Sequence, residues 1–193
     1  MPNVEVSIAD LYAAAALDPA RFDYLFETPP QTEAEIAAFV RVTASKDDPL
    51  TFAVIDKSTG TAEGRQSLMR IVPEHGVIEI GGIFWGPRLA RTRVATEALF
   101  LHARYAFDEL GYRRFEWKCN NRNEPSKTAA VRFGFQFEGV FRQHMIQKGL
   151  NRDTAWFAMT DTDWPALKRE YERWLAPGNF DAAGQQKTAL RFG

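Results

Sequence analysis

The run Val77-Ile-Glu-Ile-Gly-Gly-Ile-Phe-Trp85, with the helix and strand after it, constrains the fold more than any other part of the chain. The run reads as a strand, and Gly86-Pro87 ends it. Val94, Leu99, Ala103, Ala106 and Leu110 then share one helical stripe, which Gly111 closes as a residue just past a helix C-terminus does. Phe115-Glu-Trp-Lys-Cys119 returns to strand character. A strand, a helix and a second strand in that order make a crossover, so the two strands are expected to run parallel.

Around this crossover the pattern is antiparallel. Thr51-Phe-Ala-Val-Ile55 and a run ending at Ile71-Val72 flank a turn through Ser58-Thr59-Gly60, and Pro73-Glu-His-Gly76 turns again into Val77. Upstream, Ser7 to Leu17 predicts a helix capped by Ser7, with Asp10 in its first turn and Pro19 beyond its end. Pro29-Pro30 breaks the next segment, and Thr32 caps a second helix to Arg41. Downstream, Asn123 caps a helix with Pro125 in its first turn, which continues to about Phe133 and is closed by Gly134. Phe135–Gln147 and Thr154–Thr160 read as strands, and Asp163–Leu175 as a terminal helix. The expected fold class is α/β (α+β), with a mixed, mostly antiparallel central sheet of about six to seven strands, one parallel pair, and helices on both faces. One domain is expected over residues 1–176, with a loose, polar tail over residues 177–193.

Composition narrows the function classes. The 193 residues include 15 Phe and five Trp, enough apolar bulk for a core without disulfide or metal staples. Lys and Arg number 24 against 25 acids, which excludes a globally basic coat for nucleic acid or membrane but leaves room for a local basic patch. The single Cys119 excludes an internal disulfide and a cysteine-rich zinc site. His75, His102 and His144 lack the HExxH type of spacing, so no catalytic metal is expected. Met1 to Asp10 carries no basic n-region, Leu11 to Leu17 is too short for a signal h-region, and no stretch nears the roughly 20 apolar residues of a membrane span. A cytoplasmic protein without a membrane partner is expected.

The loop Gly86-Pro-Arg-Leu-Ala-Arg-Thr-Arg93 places three arginines just before a helix start. Unpaired backbone N–H groups, the positive end of the helix dipole and bidentate guanidinium donors together favour an anion such as a pyrophosphate. The same loop also reads as a solvated basic turn. It has neither the GxxxxGK[ST] nor the GxGxxG glycines.

Ala90-Arg-Thr-Arg-Val-Ala-Thr-Glu-Ala98 after a strand, Glu79-Ile-Gly81 on that strand, Asn123-Glu-Pro-Ser126 opening a helix, and Arg132-Phe-Gly-Phe135 with Glu138-Gly139 just beyond it form a set. Together they resemble the GCN5-related N-acetyltransferase superfamily over roughly Leu50 to Thr160, in the branch that acetylates ribosomal-protein N-termini and small amines. The resemblance implies acetyl-CoA as acyl donor, lying between the parallel strands, and no metal. It implies cofactor-binding roles for Ile83, Phe84, Arg88, Arg91, Thr92, Arg93, Val94, Ala95, Thr96 and Asn123. The family's Gln/Arg-x-x-Gly-x-Gly/Ala signature falls on Ala90 to Ala95, where Ala90 and Arg93 depart from it.

In such enzymes a backbone amide of the strand at Gly81-Gly82-Ile83-Phe84 bonds the thioester carbonyl; the glycine pair also reads as a sheet bulge. Ser126 resembles the hydroxyl that protonates the departing thiolate, and it equally fits an ordinary first-turn serine. Glu79 is the carboxylate best placed by sequence to take the substrate's proton, against the alternative of a surface ion pair. Asn123 reads as pantetheine ligand and as helix cap. Cys119 reads as packing, and the aromatics Phe133–Phe137 and Trp156–Phe157 read as core ahead of the alternative of a substrate cage.

The expected function is N-acetyl transfer to a primary amine, on a small molecule or a protein N-terminus, by direct attack. An alternative is a non-catalytic acyl-CoA-binding module or sensor, which keeps the arginine loop and Asn123 without needing Ser126 or Glu79. A third is phosphate or RNA-backbone binding through Arg88, Arg91 and Arg93, with the overall charge balance arguing against nucleic acid. A homodimer is compatible with all three.

Overall fold

Helix starts stand where their caps put them. Ser7 Oγ accepts the Asp10 N–H at 3.1 Å and opens α1 (Ile8–Ala16). Thr32 Oγ1 accepts the Glu35 N–H at 3.3 Å and opens α2 (Glu33–Ala44), which runs three residues past the expected Arg41. The computed structural model describes residues 7–192; residues 1–6, on which part of the signal-peptide reading rests, and Gly193 at the end of the tail lie outside the described residues.

Strands β1 (Leu50–Asp56) and β2 (Thr61–Val72) form the first hairpin, with Thr51 opposite Ser67 and Val54 opposite Gly64. Asp56 closes the turn by accepting from Ser58 N at 2.8 Å and Ser58 Oγ at 2.7 Å. Strand β3 (Val77–Trp85) and helix α3 (Arg93–Arg104) come next. The helix expected to run on to Leu110 instead widens into a π turn over Tyr105–Glu109, in which the consecutive Ala106 and Phe107 are both buried. Gly111 then takes the left-handed conformation, with φ at 65°.

Strand β4 (Arg114–Asn120), helix α4 (Glu124–Arg132), strands β5 (Gln136–Gln147) and β6 (Leu150–Thr160), and helix α5 (Trp164–Leu175) complete the order. Strand β6 starts four residues before the expected Thr154. Leu150-Asn-Arg-Asp153 has no apolar alternation, but the tight turn at Lys148-Gly149 pairs Leu150, Asn151 and Arg152 with Gln147, Ile146 and Met145. The strand order is β1-β2-β3-β4-β6-β5, an open mixed sheet in which β3 and β4 are the parallel pair.

Two compact units divide the chain. The first comprises Met1–Ile71 and Ile80–Ala95. Its core gathers Ala14, Ala15, Phe22 and Phe84, with the two rings 4.8 Å apart. Gly64 is required there, since a Cβ at that position would stand 2.4 Å from the Phe84 carbonyl oxygen.

The second unit comprises Val72–Glu79 and Thr96–Gly193. One face of β4 carries Phe115, Trp117 and Cys119 in an aromatic core with Phe107, Phe133, Phe135 and Trp164. Tyr171 donates its buried hydroxyl to the Phe133 carbonyl at 2.7 Å, which ties α5 to the end of α4. The alternate β4 positions, Glu116 and Lys118, face the other way. Composition reads residues beyond Pro177 as a loose tail; here Asn179 Nδ2 donates to the Trp174 and Thr188 carbonyls, Trp174 Nε1 donates to Gln186 at 2.8 Å, and Phe192 lies on Tyr171 at 5.3 Å. Hydrogen bonding by polar side chains, which hydrophobicity does not register, holds this segment. No helix among the described residues is long and apolar enough to cross a membrane.

Candidate functional site

In the first unit the sequence-predicted residues succeed one another along the end of β3, the loop and the start of α3. Phe84 is buried as a core ring against Phe22, so only its backbone can meet a ligand. Ile83 is half-buried beside Gly82, which holds φ at 55° within the strand. This left-handed angle interrupts the regular strand backbone at the glycine pair.

Arg88 donates Nε to Glu63 at 2.8 Å, and its side chain is otherwise exposed. Arg91 and Arg93 are exposed, and Arg91 holds the left-handed φ of 66° that a glycine would take more readily. Thr92 caps α3: its Oγ1 accepts the Ala95 N–H at 3.2 Å and donates to the Leu89 carbonyl at 2.6 Å. Val94 is half-buried and Ala95 buried in the first turn. A helix N-terminus flanked by exposed guanidinium groups has the donors and the charge to hold a phosphate.

In the second unit Asn123 and Ser126 come together. Asn123 Oδ1 accepts the Ser126 N–H at 3.1 Å, so Asn123 is the cap that the sequence predicts. Ser126 Oγ accepts the indole N–H of Trp117 at 3.0 Å. Burial pushes the neighbouring Cys119 thiol up from its ordinary range, against a side-chain hydrogen bond with Ser126. Thr96 is buried, and its hydroxyl oxygen accepts from Arg132 at 3.2 Å, so that side chain is engaged within the protein.

Glu79 is neither exposed nor at a surface. It is 3% exposed, and its Oε2 stands 2.9 Å from Lys118 Nζ. Lys118 also lies 2.6 Å from Glu116 and 3.8 Å from the centre of the Trp156 ring. The surface ion pair considered from sequence is thus a buried one, since β3 is an interior strand of the sheet.

Several side chains of chemical interest escape a reading of the sequence. Lys118 and Glu116 occupy alternate positions of a strand whose other face is aromatic, a pattern that reads from sequence as solvent-facing. His144 Nδ1 lies 3.0 Å from Thr154 Oγ1, and Phe141 covers Trp156 with ring centres 4.4 Å apart. Their placement depends on a register shift between Phe141 and Met145, where Gln143 holds φ at 49°. Asp153 accepts the Gln143 N–H at 2.7 Å, which holds its carboxyl below the usual range. Arg65 is buried in β2, which carries Ala-Glu-Gly-Arg-Gln-Ser-Leu68 with every residue buried. Its signal in the sequence is that polarity itself, in a strand bounded by two turns. Among the described residues no group of three or more His, Cys, Asp or Glu side chains is placed to hold a metal ion.

The sequence profile of the acetyltransferase (GNAT) domain matches residues 4–136. A GCN5-related N-acetyltransferase from Brucella melitensis has a crystal structure similar to this fold with a TM-score of 0.92, at 58% identity, over 95% of this chain and 84% of that one. A probable acetyltransferase of the GNAT family from Chromobacterium violaceum is similar at a TM-score of 0.77 and 43% identity, over 82% of this chain and 79% of that one. Among curated proteins, the uncharacterized N-acetyltransferase YoaA of Bacillus subtilis is 34% identical over 84 residues, which are 44% of this chain and 40% of that protein.

Proposed function

The chain belongs to the GNAT acetyltransferase family, and on that premise we propose that it transfers the acetyl group of acetyl-CoA to a primary amine, on a small molecule or a protein N-terminus. The observation that carries this reading is the strand–loop–helix of the first unit, with its left-handed Gly82, its Thr92 cap and the exposed Arg91 and Arg93 at the start of α3. The loop and helix start would hold the pyrophosphate, and the backbone at Ile83 and Phe84 would meet the thioester. Asn123 and Ser126, which match the family's motif at the start of α4, are the residues the resemblance gives for the pantetheine arm and the leaving sulfur.

The neutral amine attacks the thioester carbon directly. A C–N bond forms, the carbonyl oxygen takes negative charge and then releases it, and the C–S bond breaks. The proton lost from the amine and the proton gained by the thiolate balance. Orientation of the two reactants supplies much of the acceleration, and a backbone N–H stabilises the oxygen's transient charge. Ser126 Oγ–H is the proposed proton donor to the thiolate, and Glu79 the proposed route for the amine's proton.

Thermal unfolding with acetyl-CoA, CoA and RNA at low and moderate salt tests the reading. A specific ligand raises the melting temperature by mass action. The expected result is a rise with acetyl-CoA and CoA that persists at moderate salt. Unchanged melting at millimolar acetyl-CoA contradicts the proposal, and a rise with RNA that vanishes with salt favours backbone-phosphate binding instead. Binding with no thiol release over a broad amine panel marks an acyl-CoA-binding module.

A further inference from the structure

Arg65 is 8% exposed and spends its charge on two partners. One terminal nitrogen donates to the Gly82 carbonyl oxygen at 2.6 Å, and the other donates to Glu27 Oε1 at 3.0 Å. The guanidinium also lies 4.3 Å from the centre of the Phe39 ring. Burial pulls the guanidinium below its usual range, and Glu27 opposes the shift. A buried cation is costly unless it is fully paired. Here half of the pairing is a single backbone carbonyl in the irregular part of β3, where Gly82 holds φ at 55° and a side chain would meet Ser67 Oγ at 3.2 Å.

The consequence lies across the peptide bond. A trans peptide is planar, so the C=O of Gly82 and the N–H of Ile83 point in opposite directions. A charged donor that fixes the carbonyl therefore fixes the N–H as well. Withdrawing electron density from the carbonyl oxygen also makes the N–H of the same unit a stronger donor, the polarisation seen in hydrogen-bond chains.

Resting on the acetyl-transfer reading above, we propose that Arg65 is a positioning residue for the oxyanion. It holds the Gly82–Ile83 peptide so that the Ile83 N–H meets the thioester oxygen as negative charge develops during amine attack. Arg65 touches neither substrate, and Glu27 in turn orients Arg65.

The test uses the full chain and its Arg65→Met, Arg65→Lys and Glu27→Gln variants, with three readouts. The first is the affinity for CoA, which has no acetyl carbonyl. The second is the infrared stretch of carbonyl-labelled [13C]acetyl-CoA when bound, and the third is kcat for CoA thiol release. In the unsubstituted chain the bound carbonyl should absorb below its solution frequency. Arg65→Met should lose that shift and about 10²-fold in kcat, the low end for removal of an oxyanion donor, while CoA affinity stays within about twofold. Arg65→Lys, which keeps one charged donor for Gly82, should recover most of both, and Glu27→Gln should fall between. An unchanged carbonyl shift in Arg65→Met, or losses of CoA affinity, melting temperature and kcat in parallel, overturns the assignment. Should Arg65→Met fail to fold, Glu27→Gln and Arg65→Lys read the same two signals. A wild-type chain that binds no CoA overturns the acetyl-transfer reading and this inference together. A wild-type chain that turns over while Arg65→Met does so at the same rate overturns only the role of Arg65.

Discussion

The indole N–H of Trp117 points at the hydroxyl oxygen of Ser126, 3.0 Å away, from the strand that precedes the serine's helix. A hydroxyl whose lone pair receives an N–H has its own proton turned elsewhere, and the bond makes that proton easier to give. Ser126→Ala should lower kcat about 10²-fold, the low end for general acid catalysis, with little change in acetyl-CoA affinity. Trp117→Phe, which keeps an aromatic ring but loses the N–H and part of the indole's bulk, should lower kcat by a smaller factor, and only while Ser126 is present. A double-mutant cycle on kcat checks this. Equal effects of Trp117→Phe with and without Ser126 would make the contact a packing feature alone.

Lys118 is held between Glu79 and Glu116, all three nearly excluded from solvent. Removing one partner of such a group leaves charge buried without compensation. Lys118→Met should therefore destabilise the chain by about 3–5 kcal/mol in urea unfolding. Glu79→Gln should cost less, because Glu116 still faces the ammonium. If Glu79 also takes the amine's proton, Glu79→Gln lowers kcat/KM more at pH 7 than at pH 9, where free amine is abundant. Equal losses at both pH values assign it to the ion cluster alone.

Arg91 combines an exposed charge with a backbone angle of 66°. Arg91→Ala loses the charge and keeps the strain; Arg91→Gly loses both. Each should weaken acetyl-CoA binding by about 1–3 kcal/mol, the range for lost charged hydrogen bonds. Only Arg91→Gly should hold or raise the melting temperature of the ligand-free chain. Calorimetric titration paired with thermal unfolding separates the two effects, and full affinity in both variants would remove Arg91 from the binding loop.

Asp108 carries a pH signature. Burial pushes its carboxyl up, but hydrogen bonds from Lys168 at 2.6 Å and Trp164 at 2.7 Å outweigh this and hold it below the ordinary value of 3.8. With the folded value lower than the unfolded one, the stabilisation is fully present above about pH 4 and is lost as pH falls through the folded value. Asp108→Asn should flatten the acid limb of the stability curve below pH 4 and leave the slope near neutrality unchanged. An unaltered acid limb would show that the pair does not contribute.

The legible parts of the fold are those whose signals are local. Thr32, Asn123 and Gly134 act within a few residues of themselves, so the helix boundaries they set come from local chemistry. The crossover from Val77 to Cys119 predicts the parallel pair because connection length and chirality leave few other arrangements. The roles of Arg65 and Lys118 are not legible in the sequence, because they depend on what the sheet brings opposite them: a carbonyl 17 residues away for one, and a carboxylate on another strand for the other. The same holds for His144, since only the shift at Gln143 and the Asp153 hydrogen bond bring it beside Thr154. The π turn at Tyr105–Glu109 shifts the buried face, burying Phe107 beside Ala106 and leaving Leu110 exposed, a change that a regular helical period read from sequence does not carry.

Acetyl transfer itself is tested by release of CoA thiol from acetyl-CoA, monitored with a thiol reagent over a panel of polyamines, amino acids, aminoglycosides and peptides with free N-termini. An acetyltransferase of this kind should give amine-dependent, saturable release with at least one member of the panel, mass-confirmed acetylation of that amine, and loss of about 10²-fold in rate in Ser126→Ala. A chain that binds acetyl-CoA tightly yet releases thiol no faster with any amine than without one would contradict acetyl transfer.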